Sequence, residues 1–199
     1  MSNGQPPVRA RNGAATRARI EREALHLFAR HGVEGTSIRD LALAVGVADA
    51  ALYRHFSSKD EIARALFCAH YRSIAARIEA TAALDAPFAL VARALVEVLC
   101  RLFDEEPDVF AFVLLNQHAH LRFVPVEGNV VVALRDIMQA ARARGEIDIA
   151  DPDLAAAMAL GAVLQPAIFK LYGRLPGTMG DLAPALTQAV LRVLGGFPH

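Results

Sequence analysis

The sequence predicts an all-α protein of about nine helices, and three features of its 199 residues carry that expectation. Helix-length segments rich in Ala, Leu and Arg alternate with Gly- or Pro-bearing breaks. Within the segments, apolar residues recur at i, i+3, i+4 and i+7. β-branched alternations are few and no Asn-Gly hairpin signal is present.

The first helix is marked by Ile20, Ala24, Leu27, Phe28 and His31, and Gly32 stops it. Thr36 and Ser37 offer N-cap hydroxyls to a two-turn helix whose inner positions are Ile38, Leu41, Ala42 and Val45. After Val45-Gly46-Val47 a third helix is expected over Ala48 to Phe56, anchored by Val47, Ala51, Leu52 and Phe56. Ser57 and Ser58, followed by Asp60 and Glu61, form the N-terminal signature of a long helix reaching about Ala82. Five more helices are expected at about Pro87–Phe103, Pro107–His120, Val126–Arg144, Pro152–Tyr172 and Asp181–Leu194.

Apolar residues make up 54% of the chain and charged residues 21%, which excludes intrinsic disorder and supplies a real core. Only Cys68 and Cys100 are present, so a disulfide framework is not expected and a reducing cytoplasm fits. No apolar stretch follows the N-terminal arginines as a secretory signal requires. The uncharged run Leu154 to Phe169 falls short of the ~20 residues of a spanning helix and reads as a buried helix, so no membrane partner is expected. Pro166 within it should kink the helix by removing the bond to Ala162.

Charge is balanced overall at 21 basic and 21 acidic residues, but not by region. Residues 1–60 hold nine Lys or Arg against six Asp or Glu, and the remainder twelve against fifteen. Arg9, Arg11, Arg17 and Arg19 stand in an N-terminal stretch without an acid, a pattern that either meets a polyanion or forms a solvated tail.

The pattern Thr36-Ser37-Ile38-Arg39-Asp40-Leu41-Ala42, then Val45-Gly46-Val47, then Leu52-Tyr53-Arg54-His55-Phe56 and Lys59 is that of a helix-turn-helix. Small Ala42 suits a close helix crossing, Gly46 permits the turn, and Val47 with Leu52 anchors the second helix. The outer face of that helix, Asp49, Ala50, Tyr53 and Arg54, is then free to enter a major groove. Phe56 reads as core.

This stretch resembles the tetracycline-repressor (TetR) family of transcriptional regulators, whose N-terminal domain ends in Leu-Tyr-x-His-Phe-x-x-Lys, here Leu52 to Lys59. The resemblance covers roughly Thr16 to Phe67. It implies a homodimer that binds a near-palindromic operator in double-stranded DNA and lets go when a small, largely apolar effector enters the C-terminal domain. It further implies that Tyr53, His55 and Lys59 contact phosphates, that Ser37 caps helix two against the backbone, and that Arg39 reaches a base edge, where a guanidinium suits guanine O6 and N7. Ala48 and Asp49 depart from the family, which often has serine at the first and lysine or a neutral polar residue at the second. Asp49 is open to two roles, a helix N-terminal acid worth ~0.3–1 kcal/mol or an acceptor for cytosine N4.

The expected organisation is therefore a basic disordered arm over 1–15, a helix-turn-helix domain over 16–60 and a helical effector-binding and dimerisation domain over 61–199. In the last, Phe103, Phe110, Leu114 and Met138 are candidate apolar contacts for an effector, each also readable as plain core. Gln117 and His118 follow the apolar run Val113-Leu114-Leu115, and Gln165 and Phe169 lie beside Pro166; all four are candidate ligand contacts. The small residues Ala155, Ala159 and Val163, together with Ala156, Gly161 and Ala167, allow close helix approach, so this segment and the Asp181–Leu194 helix form the candidate dimer interface, a face equally readable as an ordinary core.

No Gly-x-Gly-x-x-Gly, Walker, Gly-x-Ser-x-Gly or His-Glu-x-x-His motif occurs, so no enzyme activity and no cofactor are expected. Cys68-Ala69-His70 and His118-Ala119-His120 hold side chains about 200° apart around a helix and are not assigned as metal sites. Two readings stand beside the regulator: a DNA-binding protein without an effector, and a helical protein-interaction module.

Overall fold

The structure, a computed structural model, describes residues 8–115, 121–124 and 128–195. Among these residues there is no strand. The helices are α1 (Val8–His31), α2 (Ile38–Val45), α3 (Asp49–Leu52), α4 (Lys59–Ala82), α5 (Phe88–Glu105), α6 (Pro107–Phe110), α7 (Val130–Ala143), α8 (Pro152–Leu171) and α9 (Met179–Val193). Two compact units are formed, the first ending at Phe67 and the second beginning at Cys68, so α4 contributes residues to both.

In the first unit α1 packs on α2 and α2 on α3. The core is Ile20, Ala24 and Phe28 from α1, Leu41, Ala42 and Val45 from α2, and Leu52 and Phe56, with Ile62, Ala63, Leu66 and Phe67 from α4. The helix starts follow from side-chain chemistry. Ser37 Oγ accepts the Asp40 amide at 3.1 Å while Asp40 Oδ2 accepts the Ser37 amide at 2.8 Å, a reciprocal cap that satisfies two otherwise orphaned donors. Ser58 Oγ accepts the Glu61 amide at 3.1 Å, and Glu61 reaches back to the Ser57 amide and hydroxyl, both at 2.6 Å.

Three boundaries differ from expectation in this unit and the next. Helix α1 starts at Val8, inside the stretch expected as a disordered arm, because Ala and Arg are strong helix formers and no proline follows Pro7 before His31. Helix α3 stops at Leu52 rather than Phe56: beyond it the His55 and Phe56 amides both turn onto the Leu52 carbonyl, tightening Tyr53–His55 into a turn. Helix α6 changes register after Phe110 into a π-helical turn, Ala111–Leu115; the expected continuation to His120 lies outside the described residues.

In the second unit α5 packs on α9 and α8, and α8 on α7 and α9. Asp104, near the end of α5, accepts the Met179 and Gly180 amides at 2.9 Å each, fastening the N-terminus of α9, which carries its own Thr178–Asp181 cap. Tyr71 is buried and donates its hydroxyl to Asn129 at 3.1 Å, the residue whose Oδ1 also caps α7. Cys68 and Cys100 are free thiols, and burial lifts Cys100 to about 11.

Helix α8 falls where it was expected but is not the buried helix that its uncharged run suggested. It spans 20 residues, long and apolar enough by composition to cross a bilayer, and runs unbroken through Pro166. Only one stripe, Ala155, Ala156, Ala159, Val163 and Ala167, is buried. The opposite stripe, with Leu154, Met158, Gly161, Gln165 and Phe169, is exposed in the single chain.

Gly46 ends α2 at φ +72°, its amide bonded to the Ala42 carbonyl, and a Cβ there would meet nothing within 4 Å. Gly46→Ala therefore carries a backbone cost alone, expected at about 1–2 kcal/mol. Equilibrium urea unfolding followed by far-ultraviolet circular dichroism measures it; an unchanged midpoint contradicts the left-handed geometry.

Candidate nucleic-acid interface

The first unit presents one continuous polar surface built from α2, α3 and the turn after it. Ser37, Arg39, Asp49, Ala50, Tyr53 and Arg54 are all exposed, while Leu52 and Phe56, on the inner side of α3 and its turn, are buried at 1% and 3% exposure. The alternation is what a groove-entering helix requires: an inner edge fixed in the core and an outer edge left open. Tyr53 is 55% exposed, so the side chain is part packed and part open to solvent.

The remaining expected contacts are less open. His55 is half-buried in the turn, and its carbonyl accepts Arg17 Nη1 at 3.5 Å. Lys59 is 20% exposed and its ammonium lies 3.9 Å from the wholly exposed carboxylate of Glu34, a weak partner that a phosphate can replace. The Ser37 hydroxyl is committed to the α2 cap. Asp49 sits in the first turn of α3, whose N-cap Ala48 makes no side-chain cap, so its charge favours the otherwise uncapped helix start.

Arg17 is a positioning residue that sequence reading did not single out. Its guanidinium lies 4.3 Å from the centroid of the Phe56 ring, and Nε bonds Glu21 at 3.0 Å. With Glu61 holding Ser57 from the other side, the segment His55-Phe56-Ser57 is gripped from α1 and α4. No local signal marks this, because Arg17 and His55 lie 38 residues apart in sequence.

The candidate effector residues that are described lie on α5, α6, the π-helical turn after it, α7 and α8. Phe103 and Phe110 are buried against each other, edge to face with centroids 5.1 Å apart, and Leu114 is buried in the π-helical turn. Met138 is buried beside Leu134 and Val163 at a void of about 30 Å³, room for no more than a water. Gln165 and Phe169 face outward on α8, four residues apart on its exposed stripe. Gln117 and His118 lie outside the described residues. A cavity of about 570 Å³ opens elsewhere in the second unit, among the end of α4, the start of α5 and α7. Its lining alternates with core on the same helices, so periodicity alone does not reveal it.

Geometry of this kind is that of a helix-turn-helix. Residues 20–66 match the family described as bacterial regulatory proteins, tetR family. It is 36% identical over 101 residues to the HTH-type transcriptional regulator TcmR of Streptomyces glaucescens, an alignment covering 51% of this chain and 45% of that one. The chain thus spans less than half the length of the curated relatives it matches. Among solved structures it is similar to the TetR family transcriptional regulator PfmR of Thermus thermophilus, at TM-score 0.70 and 26% identity over 91% of this chain and 100% of that one. It shares its fold with AibR, solved in complex with isovaleryl coenzyme A and operator DNA, at TM-score 0.71 and 22% identity over 92% of this chain and 100% of that one.

Hydrogen bonds from the Ser37 hydroxyl and amide hold the Asp40 carboxyl below its ordinary value of 3.8, and those from Ser57 hold Glu61 below 4.5. A carboxylate with a depressed folded-state pKa stabilises above its unfolded value and loses that contribution as pH falls through the folded one. The double variant Asp40→Asn, Glu61→Gln should therefore melt below wild type at pH 7, with the gap closing as pH falls beneath about 4. Thermal melts from pH 7 to pH 3 test this; a gap constant across the series contradicts it.

Proposed function

We propose that the protein is a DNA-binding transcriptional regulator, a cytoplasmic repressor that binds a near-palindromic operator as a homodimer and is released by a small, largely apolar effector. The observation that carries the reading is the open outer face of α3, Asp49, Ala50, Tyr53 and Arg54, above the buried Leu52 and Phe56. The tetR-family match over the same residues supports it, as does the shared fold with AibR bound to operator DNA and an acyl thioester.

In this reading Lys59, His55 and Tyr53 take phosphates and so position the protein, while Arg39 and the outer face of α3 read base edges. Two copies would present their recognition helices in successive major grooves, about 34–36 Å apart. The effector acts by binding better to an arrangement of the dimer in which that spacing no longer fits. The exposed stripe of α8, joined by α9, is the dimer surface, which turns Gln165 and Phe169 from effector contacts into contacts between copies. The family resemblance supports a regulator over an enzyme.

On operator DNA, Lys59→Ala should weaken specific and random binding alike and reduce the salt slope by about one, whereas Arg39→Ala should cost about 1–3 kcal/mol on the operator and relax preference at one position. Fluorescence anisotropy at several salt concentrations separates the two, and wild-type protein with no salt-dependent affinity for any duplex sinks the reading. Gly161 is exposed and a side chain there meets nothing within 4 Å in its own chain, so Gly161→Glu should leave the helical content intact and yield monomers. Sedimentation velocity decides; an undisturbed dimer places the interface elsewhere.

A further inference from the structure

The α4–α5–α7 cavity has a defined chemistry. Its volume of about 570 Å³ lies within the ~300–1,000 Å³ of small-molecule sites, and its walls include Phe88, Val91, Val132 and Ile137. Three charged residues line it as well, Glu79, Asp136 and Arg144. The basic one is already committed: Arg144 Nε bonds Glu146 at 2.6 Å, and the same Glu146 carboxylate accepts the Phe88 amide at the start of α5. Asp136 is engaged by its neighbour Arg135, at 2.8 and 3.1 Å. Glu79 makes no side-chain bond or ion pair among the described residues.

A ligand entering this space therefore meets apolar walls and one uncompensated carboxylate. An anion would find two acids, and an Arg144 whose charge Glu146 already compensates and which has only its Nη donors left to offer. A positive nitrogen on an apolar body gains on both counts, since the body is desolvated against Phe88 and Ile137 and the charge is met by Glu79. We propose that this cavity binds a cationic amphiphile, with its apolar body between α5 and α7 and its charged nitrogen at Glu79. That this occupant is the effector rests on the regulator reading above; that the cavity prefers cations does not.

The test is calorimetric titration of the full-length protein with decylammonium and, as the chain-matched anion, decanoate, both below their aggregation concentrations. Decylammonium should bind once per chain and at least about ten times tighter than decanoate. Glu79→Gln, a change at an exposed position, should weaken decylammonium about three-fold and leave decanoate unweakened. Ala133→Phe, which fills the cavity from α7, should abolish binding of both; should it fail to fold, the Glu79 variant still decides. Decanoate binding as tightly as decylammonium, or decylammonium indifferent to Glu79→Gln, overturns the proposal. Operator affinity read in the same samples keeps the two ideas apart, because cation-selective binding without operator release upholds the site and overturns its role as the effector site.

Discussion

A helix of four residues does not hold itself, since its nucleus costs more than its few hydrogen bonds return. Helix α3 exists because Leu52 and Phe56 are buried beneath it, each worth about 1.5–3 kcal/mol of removed apolar surface. Arg17 over the Phe56 ring adds a cation–π contact of about 0.5–1 kcal/mol, and the Glu61 carboxylate fixes the next residue by its amide. Everything on the outer face inherits its direction from these inner contacts. Tyr53 and Arg54 have no stiffness of their own, so the proposed DNA-reading edge takes whatever pose the core imposes.

That dependence explains what was legible in the sequence. The apolar spacing of α2, the Ser37–Asp40 and Ser57–Glu61 caps and the Leu52–Phe56 anchors are local patterns, readable within a few residues, and the first unit follows them closely. The length of α3 was not readable in the same way. Whether Tyr53–His55 continue a helix or tighten into a turn is decided where the chain must deliver Phe56 to the core and then start α4 at Lys59. Arg17 was illegible for a related reason: its partner is 38 residues away, and one arginine among four in a basic stretch carries no mark of a packed ring.

In the second unit helical character was readable and the position of the cavity was not. Aromatic residues drew attention because they are large, but large side chains fill a core first, as Phe103, Phe110 and Phe112 do here. The space that remains lies where lining residues are small: Ala82 and Ala83 at the end of α4, Ala133 and Ala140 on α7. A cavity is an absence of side chain, and a single sequence registers it only as alanine, which is also what close helix packing uses. Charge is a signal of a different kind: an acid such as Glu79, without a partner among the described residues, stands out only when the partners of its neighbours are known.

Helix α8 shows the same ambiguity resolved by packing. Its stretch from Leu154 to Phe169 is apolar all round, a composition equally suited to a core, a bilayer or two protein faces. The buried stripe is almost all alanine, which lets α7 and α9 approach closely, while the larger Leu154, Met158 and Phe169 point away from them. A helix buried on all sides would have its bulk distributed around the axis; here the bulk is on the bare side. The exposed Gly161 and Gln165 lie in the middle of that bulk, the first permitting close approach and the second supplying a hydrogen-bonding group in an otherwise apolar band. Such a surface, small and polar at its centre and apolar at its ends, suits pairing with its own copy about a two-fold axis, the symmetry a near-palindromic operator demands of the proposed dimer.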